Sequence, residues 1–241
     1  MSEDRIYSMP LDRVGDFTFD EMVVEVFPDM ISRSVPGYAS VLAMTAELGE
    51  RYAVSGSNVY DLGCSLGAAT FLLRKRVPKS CSIRAIDSSP AMIEKLRASV
   101  VEQSSNFAAI EAIEADIREI DIQDASFAIL NFTLQFVPAE ERAKLLRTVC
   151  KGLRDGGALV LSEKVHFADP NKQVLMTELH HDFKRANGYS DLEIAQKRTA
   201  LENTLITDTI ETHLERLESV GFRRVSLWFQ CFNFISILAV K

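Results

Sequence analysis

The residues best suited to chemistry sit at regular intervals, each closing an apolar run: Asp61, Asp87, Asp116 and Asn131. Between the first two lies Gly63-Cys-Ser-Leu-Gly67, with Ser65 at its centre. Glycines bracketing a short loop let a ligand come close to the backbone, and amides at the start of a following helix would face it. The dinucleotide fingerprint G-x-G-x-x-G is adapted to pyrophosphate. The glycine spacing here differs, and Asp61 ahead of the loop would repel phosphate but suit a cation. Asp87 is placed to accept from two ribose hydroxyls. Asp116 and Ile117 offer an acid and an apolar wall to adenine. A sulfonium, an amino acid, a ribose and an adenine together describe S-adenosyl-L-methionine. Singly, each residue has a plainer use: Asp87 as a helix cap, Asp116 as a solvated turn, the glycines as a tight turn. Their co-occurrence favours the ligand.

The elements that must position these residues alternate between strand and helix. Strands are expected over 59–62, 82–87, 110–114, 127–131 and 158–162, the last following the turn Asp155-Gly156-Gly157. Ser89 caps a helix that has Pro90 at its first position, where a missing amide costs nothing. Another helix runs from about Pro138. Such alternation implies a mostly parallel sheet covered on both faces, with ligands bound outside the carboxyl ends of the strands. The four polar residues should therefore gather at one rim. Residues 166–220 are helical without intervening strands, and Ser190-Asp-Leu-Glu193 reads as a capping box. Strands over 224–229 and 234–240 close the chain as an antiparallel pair. Ahead of the core, 27–37 reads as an irregular link and 38–52 as a helix, in an arm expected to pack over the cofactor side. The whole is one domain: arm 1–55, cofactor-binding core 56–165, helical insert 166–220 and closing strands 221–241.

The chain has 241 residues, 47% hydrophobic and 25% charged, enough for a sizeable core in one large domain. Its net charge of -7 and lack of a basic stripe with interleaved aromatics disfavour direct nucleic-acid binding. Cys64, Cys81, Cys150 and Cys231 form no C-x-x-C pair and suit a reducing compartment. Residues 1–12 carry no apolar signal core, and no apolar run reaches membrane-spanning length. A cytoplasmic protein is expected. No metal is expected either: His180-His181-Asp182 are adjacent on a helix and so point apart. Cys64 has no identifiable histidine base.

No Asn-Pro-Pro-Tyr segment follows the fourth strand, which continues Asn131-Phe-Thr-Leu-Gln135. The order of elements, with its final antiparallel pair, resembles the Rossmann-like class I methyltransferase fold. Five segments narrow this: 27–38 (FPDMISRSVPGY), 60–70 (YDLGCSLGAAT), 131–136 (NFTLQF), 180–189 (HHDFKRANGY) and 227–233 (LWFQCFN). They resemble the bacterial carboxy-S-adenosyl-L-methionine synthase family over nearly the whole chain.

The resemblance implies conversion of S-adenosyl-L-methionine and prephenate into carboxy-S-adenosyl-L-methionine and phenylpyruvate. Prephenate loses carbon dioxide and hydroxide as it aromatises, a proton leaves the sulfonium methyl, and that carbon takes up the carbon dioxide. The product then serves a separate enzyme that carboxymethylates the wobble uridine of tRNA. The resemblance further implies a homodimer, and ligand contacts at Tyr38, Gly63, Cys64, Ser65, Asp87, Ser88, Ser89, Asp116, Ile117, Asn131 and Arg198. A guanidinium would repel a bare sulfonium, whereas a carboxymethyl sulfonium brings an anion that Arg grips with two parallel hydrogen bonds. Arg198 is thus the expected carboxylate-recognising residue, in its own or a neighbouring subunit. Arg33, Lys184, Arg185 and Arg198 are candidate cations for prephenate. Rival readings are a methyltransferase for a small acid and a non-catalytic S-adenosylmethionine-binding partner protein.

Overall fold

The structure is a computed structural model describing residues 2–103 and 106–241. Its elements run α1 (Glu21–Ser34), α2 (Tyr38–Tyr52), β1 (Asn58–Leu62), α3 (Ala68–Arg74), β2 (Ser82–Asp87), α4 (Pro90–Glu102), β3 (Ala109–Glu114) and β4 (Ala125–Asn131). A short 3-10 turn (Leu134–Phe136) follows, then α5 (Ala139–Gly152), β5 (Leu153–Lys164), α6 (Pro170–Ala186), α7 (Asp191–Leu201), α8 (Ile210–Ser219), β6 (Arg224–Cys231) and β7 (Phe234–Val240). The strands form one seven-stranded sheet in the order β3-β2-β1-β4-β5-β7-β6. β1 to β5 are mutually parallel, and β7 lies antiparallel between β5 and β6.

Alternation along each strand splits the core into two layers, because successive side chains point to opposite faces. Val59, Ile83, Phe127, Ile129 and Val160 pack on one face with Leu42 of α2 and Leu73 of α3. Tyr60, Leu62, Ile86, Leu130 and Leu161 pack on the other with Leu145 and Val149 of α5 and Leu217 of α8. Burial of each such large side chain contributes roughly 1.5–3 kcal/mol. Pairing sets the rim: Asp61 stands opposite Ala85 and Ile129, Asp87 opposite Glu114, and Asn131 opposite Ser162. The sheet reverses its order between β1 and β4, and the crevice opens there.

Two expectations are corrected. The stretch 27–37 is not an irregular link: α1 continues through Pro28 as far as Ser34. Asp20 starts that helix by accepting from the Val23 amide at 3.1 Å. Val23, Val24 and Met30 then bury against Phe17 and Met92. Burial of that face outweighs the roughly 3 kcal/mol that an interior proline costs. The Asp155-Gly156-Gly157 turn, in turn, lies inside β5, which begins at Leu153. Gly156, at φ 77°, bends the strand there, and the Lys241 amide donates to Gly157 O at 3.0 Å.

A buried guanidinium helps fasten the insert to the core. Arg142 of α5, 1% exposed, donates to Asp208 Oδ2 at 2.7 Å and to the carbonyls of Val137, Gln135 and Ile206. The arm is fastened at its tip. Asp4 is buried and takes the Tyr189 hydroxyl at 2.5 Å, with Lys197 at 3.6 Å.

Candidate functional site

Arm, sheet rim and insert enclose a cavity of about 600 Å³. Its floor is the β1–α3 loop, whose geometry corrects the opening inference about its glycines. Gly63 and Gly67 both have φ near +80°, a left-handed conformation costly for other residues. A Cβ on Gly63 would lie 2.3 Å from Thr133 Cγ2, and one on Gly67 2.6 Å from Leu96 Cδ1. Protein side chains, not a ligand, occupy the space the glycines leave. The loop amides are also engaged internally. Gly63 and Cys64 N–H both donate to Ile86 O, Gly67 N–H to Cys64 O, and Ser65 N–H to Asp87 Oδ2 at 2.8 Å. What the loop and rim present is therefore rich in acceptors.

Asp61 is 1% exposed at the end of β1 and accepts from the Thr70 hydroxyl. Burial pushes its pKa up to about 7, against the pull of the Thr70 hydrogen bond and with help from Asp87. Asp87 accepts from Ser65 and Ser89 amides at 2.8 and 2.9 Å. Burial raises its pKa, and the backbone bonds counter that. These bonds fix the carboxylate while each oxygen keeps a lone pair for a hydroxyl. Asp116 lies beside Ile117 on the cavity wall. It is held below the usual carboxylate range chiefly by hydrogen bonding to Arg118. Asn131 Oδ1, at the end of β4, is buried with no hydrogen-bond partner among the described residues. Such an orphaned acceptor costs stability unless a donor reaches it, and an amino group or hydroxyl of a bound ligand supplies one. The residues therefore fit a cationic, ribose-bearing ligand. Cys64 is a packing residue: burial raises its thiol pKa far above neutrality, so it holds its proton.

Tyr38, Gly63, Cys64, Ser65, Asp87, Ser88, Asp116, Ile117 and Asn131 all line the cavity. Ser89 does not. Its hydroxyl accepts from the Met92 amide as the α4 cap and donates to Phe19 O at 2.7 Å, tying the arm to the rim. Arg198 also lies outside. It stands on the exposed side of α7, while Lys197 faces inward. Of the other cation candidates, only Lys184 lines the cavity. Arg33 pairs with Asp29 at 3.0 Å and stacks on Tyr189, and Arg185 pairs with Asp182 and Asp191.

Further wall residues were not evident as site residues from sequence. Phe19 and Phe27 come from the arm, Phe132 and Phe234 from the sheet, Lys164 from the end of β5 and His180 from α6. Tyr38, Phe132, Phe234 and His180 form a continuous aromatic row with centroid separations of 6.3, 5.9 and 4.9 Å. His180 Nε2 donates to Ser34 O at 2.8 Å, and burial keeps the ring neutral. Lys164 carried no comparable signal, since Ser162 and Glu163 separate it from the apolar run 158–161 that precedes it.

The sheet order, the crevice and the acid-ended strands define the fold of S-adenosylmethionine-dependent methyltransferases. A family model described as a methyltransferase domain matches residues 59–157. Human N-acetylserotonin methyltransferase, solved in complex with SAM, superposes with a TM-score of 0.62 at 17% identity, covering 92% of this chain and 55% of that one. Curated relatives are far more similar over the full length. The carboxy-S-adenosyl-L-methionine synthase of Erwinia tasmaniensis is 54% identical, covering 100% of this chain and 98% of its own. That of Escherichia coli strain K12 is 54% identical, covering 99% and 96%. The chain belongs to the carboxy-S-adenosyl-L-methionine synthase family, a family of transferase enzymes.

Proposed function

We propose that the chain converts S-adenosyl-L-methionine and prephenate into carboxy-S-adenosyl-L-methionine, phenylpyruvate and water. The observation that carries this reading is one cavity in which an acceptor-rich rim runs into an aromatic lobe with lysines in its wall. At about 600 Å³ it lies in the range of small-molecule sites, and its two ends differ in polarity as two dissimilar ligands require. The rim suits the cationic cofactor: Asp87 for the ribose hydroxyls, Asp116 and Ile117 for the adenine, Asn131 Oδ1 for an amino group. The row Tyr38–Phe132–Phe234–His180 suits a ring that becomes aromatic during the reaction.

The atoms balance without a protein base. Prephenate gives up carbon dioxide and hydroxide, the hydroxide takes a proton from the sulfonium methyl to form water, and the methyl carbon bonds the carbon dioxide. The protein's part is to exclude water and hold the partners together, which the arm does by roofing the rim with Phe17, Phe19 and Phe27. Arg198, exposed in a single chain, is read as the carboxylate-recognising residue of a neighbouring subunit in a homodimer. A cytoplasmic location and delivery of the product to a tRNA uridine carboxymethyltransferase belong to the same reading. A net charge of -7 fits a chain that makes the small molecule and does not itself hold RNA.

Mass spectrometry of ligand retained through purification tests the reaction. The expected species lies about 44 mass units, one carbon dioxide, above S-adenosylmethionine, and added prephenate is consumed. Retention of S-adenosylmethionine alone, with prephenate untouched, refutes it and favours a methyltransferase or a binding protein. For Arg198→Ala the expected result is loss of preference for the carboxylated ligand over S-adenosylmethionine. An unchanged affinity ratio removes Arg198 from the role.

A further inference from the structure

Three lysines line the cavity on the side of the insert: Lys164 at the end of β5, Lys184 on α6 and Lys197 on α7. Only Lys197 has a counter-charge, Asp4 at 3.6 Å. Lys184 is 8% exposed, and the charges that act on it are other cations, Lys197 and Lys164. Lys164 is held by burial alone, with no acid acting on it. Among the described residues neither pairs with a carboxylate. An ammonium without a counter-charge in a largely enclosed cavity costs stability. Burial accordingly lowers both pKa values, that of Lys184 to about 7. The aromatic row leads directly to this corner, because Phe234 contacts both Phe132 and His180, and His180 precedes Lys184 by one helical turn.

We propose that Lys164 and Lys184 form a carboxylate-binding subsite for the anionic co-substrate, gripping one of its carboxylates while its ring lies along Phe132, Phe234 and His180. The proposal rests on the prephenate reading above and adds which residues hold that molecule. Prephenate carries two carboxylates, and one of them leaves as carbon dioxide. A grip on the carboxylate that stays, the one in the pyruvyl side chain, holds the molecule without impeding that loss. This role differs from that of Arg198, which lies outside the cavity of its own chain and is read as recognising the carboxylate of the product. His180 serves as the neutral wall between ring and carboxylate, since its Nε2–H is committed to Ser34 O.

The test uses Lys164→Met and Lys184→Met in the full-length protein, with Lys→Gln versions as a second set. Prephenate is varied at saturating S-adenosylmethionine. Cofactor affinity is measured separately by calorimetry, and thermal stability is recorded. The expected result is a KM for prephenate raised at least about tenfold in each variant, from loss of charge-assisted hydrogen bonds. Cofactor affinity should stay within about twofold, and Tm should be unchanged or higher because a buried unpaired cation has been removed. An unchanged KM overturns the subsite. So does a parallel loss of cofactor affinity, which would place the lysines on the cofactor's own carboxylate, and so does a fall in Tm with unaltered KM. A wild-type protein that leaves prephenate untouched instead refutes the reaction itself and takes the subsite with it. Wild-type turnover with unaffected lysine variants refutes the subsite alone.

Discussion

Asp61→Asn is the most informative single change at the rim. The carboxyl is buried, and desolvation pushes its pKa up to about 7, with the Thr70 hydroxyl resisting and Asp87 assisting. A cationic ligand beside it stabilises the carboxylate, so binding pulls the proton off. Apparent affinity then falls below the high-pH limit by the factor 1 + 10^(pKa − pH), about elevenfold at pH 6 and only about 1.1-fold at pH 8. Calorimetric titration of S-adenosylmethionine from pH 6 to pH 8 should therefore show wild-type affinity rising about tenfold relative to Asp61→Asn. The ligand's own amino group titrates identically with both proteins and cancels in the ratio. The stability consequence has the opposite sign to that of a salt-bridged aspartate. Between about pH 4 and pH 7 the folded protein keeps a proton that the unfolded chain releases, so stability falls as pH rises through that window. The shift from the ordinary 3.8 to about 7 corresponds to on the order of 4 kcal/mol, and Asp61→Asn should abolish that slope in urea titrations. A pH-independent ratio of affinities, together with an unaltered stability slope in the variant, refutes the account of Asp61.

Other outcomes follow from the loop and the insert. Gly63→Ala and Gly56→Ala both place alanine at positive φ, but Gly56 faces open space while Gly63 meets Thr133 at 2.3 Å. Gly56→Ala should cost about 1 kcal/mol in urea denaturation, and Gly63→Ala should cost about 1–3 kcal/mol more and weaken cofactor binding. Equal costs would show that Thr133 yields freely. Arg142→Leu strips the donors from three carbonyls and one of the two guanidinium partners of Asp208. It should destabilise by on the order of 3 kcal/mol, and a loss below about 1 kcal/mol would mean that the insert is held mainly by apolar packing.

The rim was legible because a parallel sheet converts sequence position into spatial position. Any residue that ends a strand lands at one edge, so Asp61, Asp87 and Asn131 were found from apolar runs and their polar stops. Strands β2 and β7, helix α2, and the Ser89 and Ser190 caps were legible for the same local reasons. What a glycine is for was not legible. The φ of Gly63 follows from local chemistry, but its neighbour Thr133 comes from a loop 70 residues away. Nor did the sequence distinguish Lys197 from Arg198. They are adjacent on a helix with polar residues on several sides, and the inward face is decided by where Asp4 and Tyr189 dock. The continuation of α1 through Pro28 was hidden because burial against α4, a tertiary effect, overrode the local penalty.

The two ends of the cavity carry opposite, spatially separated debts of charge. Asp61 and Asp87 lie at the rim; burial raises the pKa of both, and Asp87 raises that of Asp61 further. Lys164 and Lys184 lie on β5 and α6 and gain nothing from those acids. A pair of opposite charges that could meet would have been a salt bridge, stabilising the empty protein and closing the site. Held apart on different elements, each end gains an opposite charge only from what binds. On the proposed function a cationic cofactor settles at the acids and a dianion at the lysines, and each draws its own end toward the charged form. Opposite ligand charges in one low-dielectric cavity also attract each other, so binding of either should strengthen binding of the other, by the same factor in both directions. A methyltransferase for a neutral acceptor would have no use for the second end, so on the proposed function it is the lysines, more than the acids, that set this chain's chemistry apart.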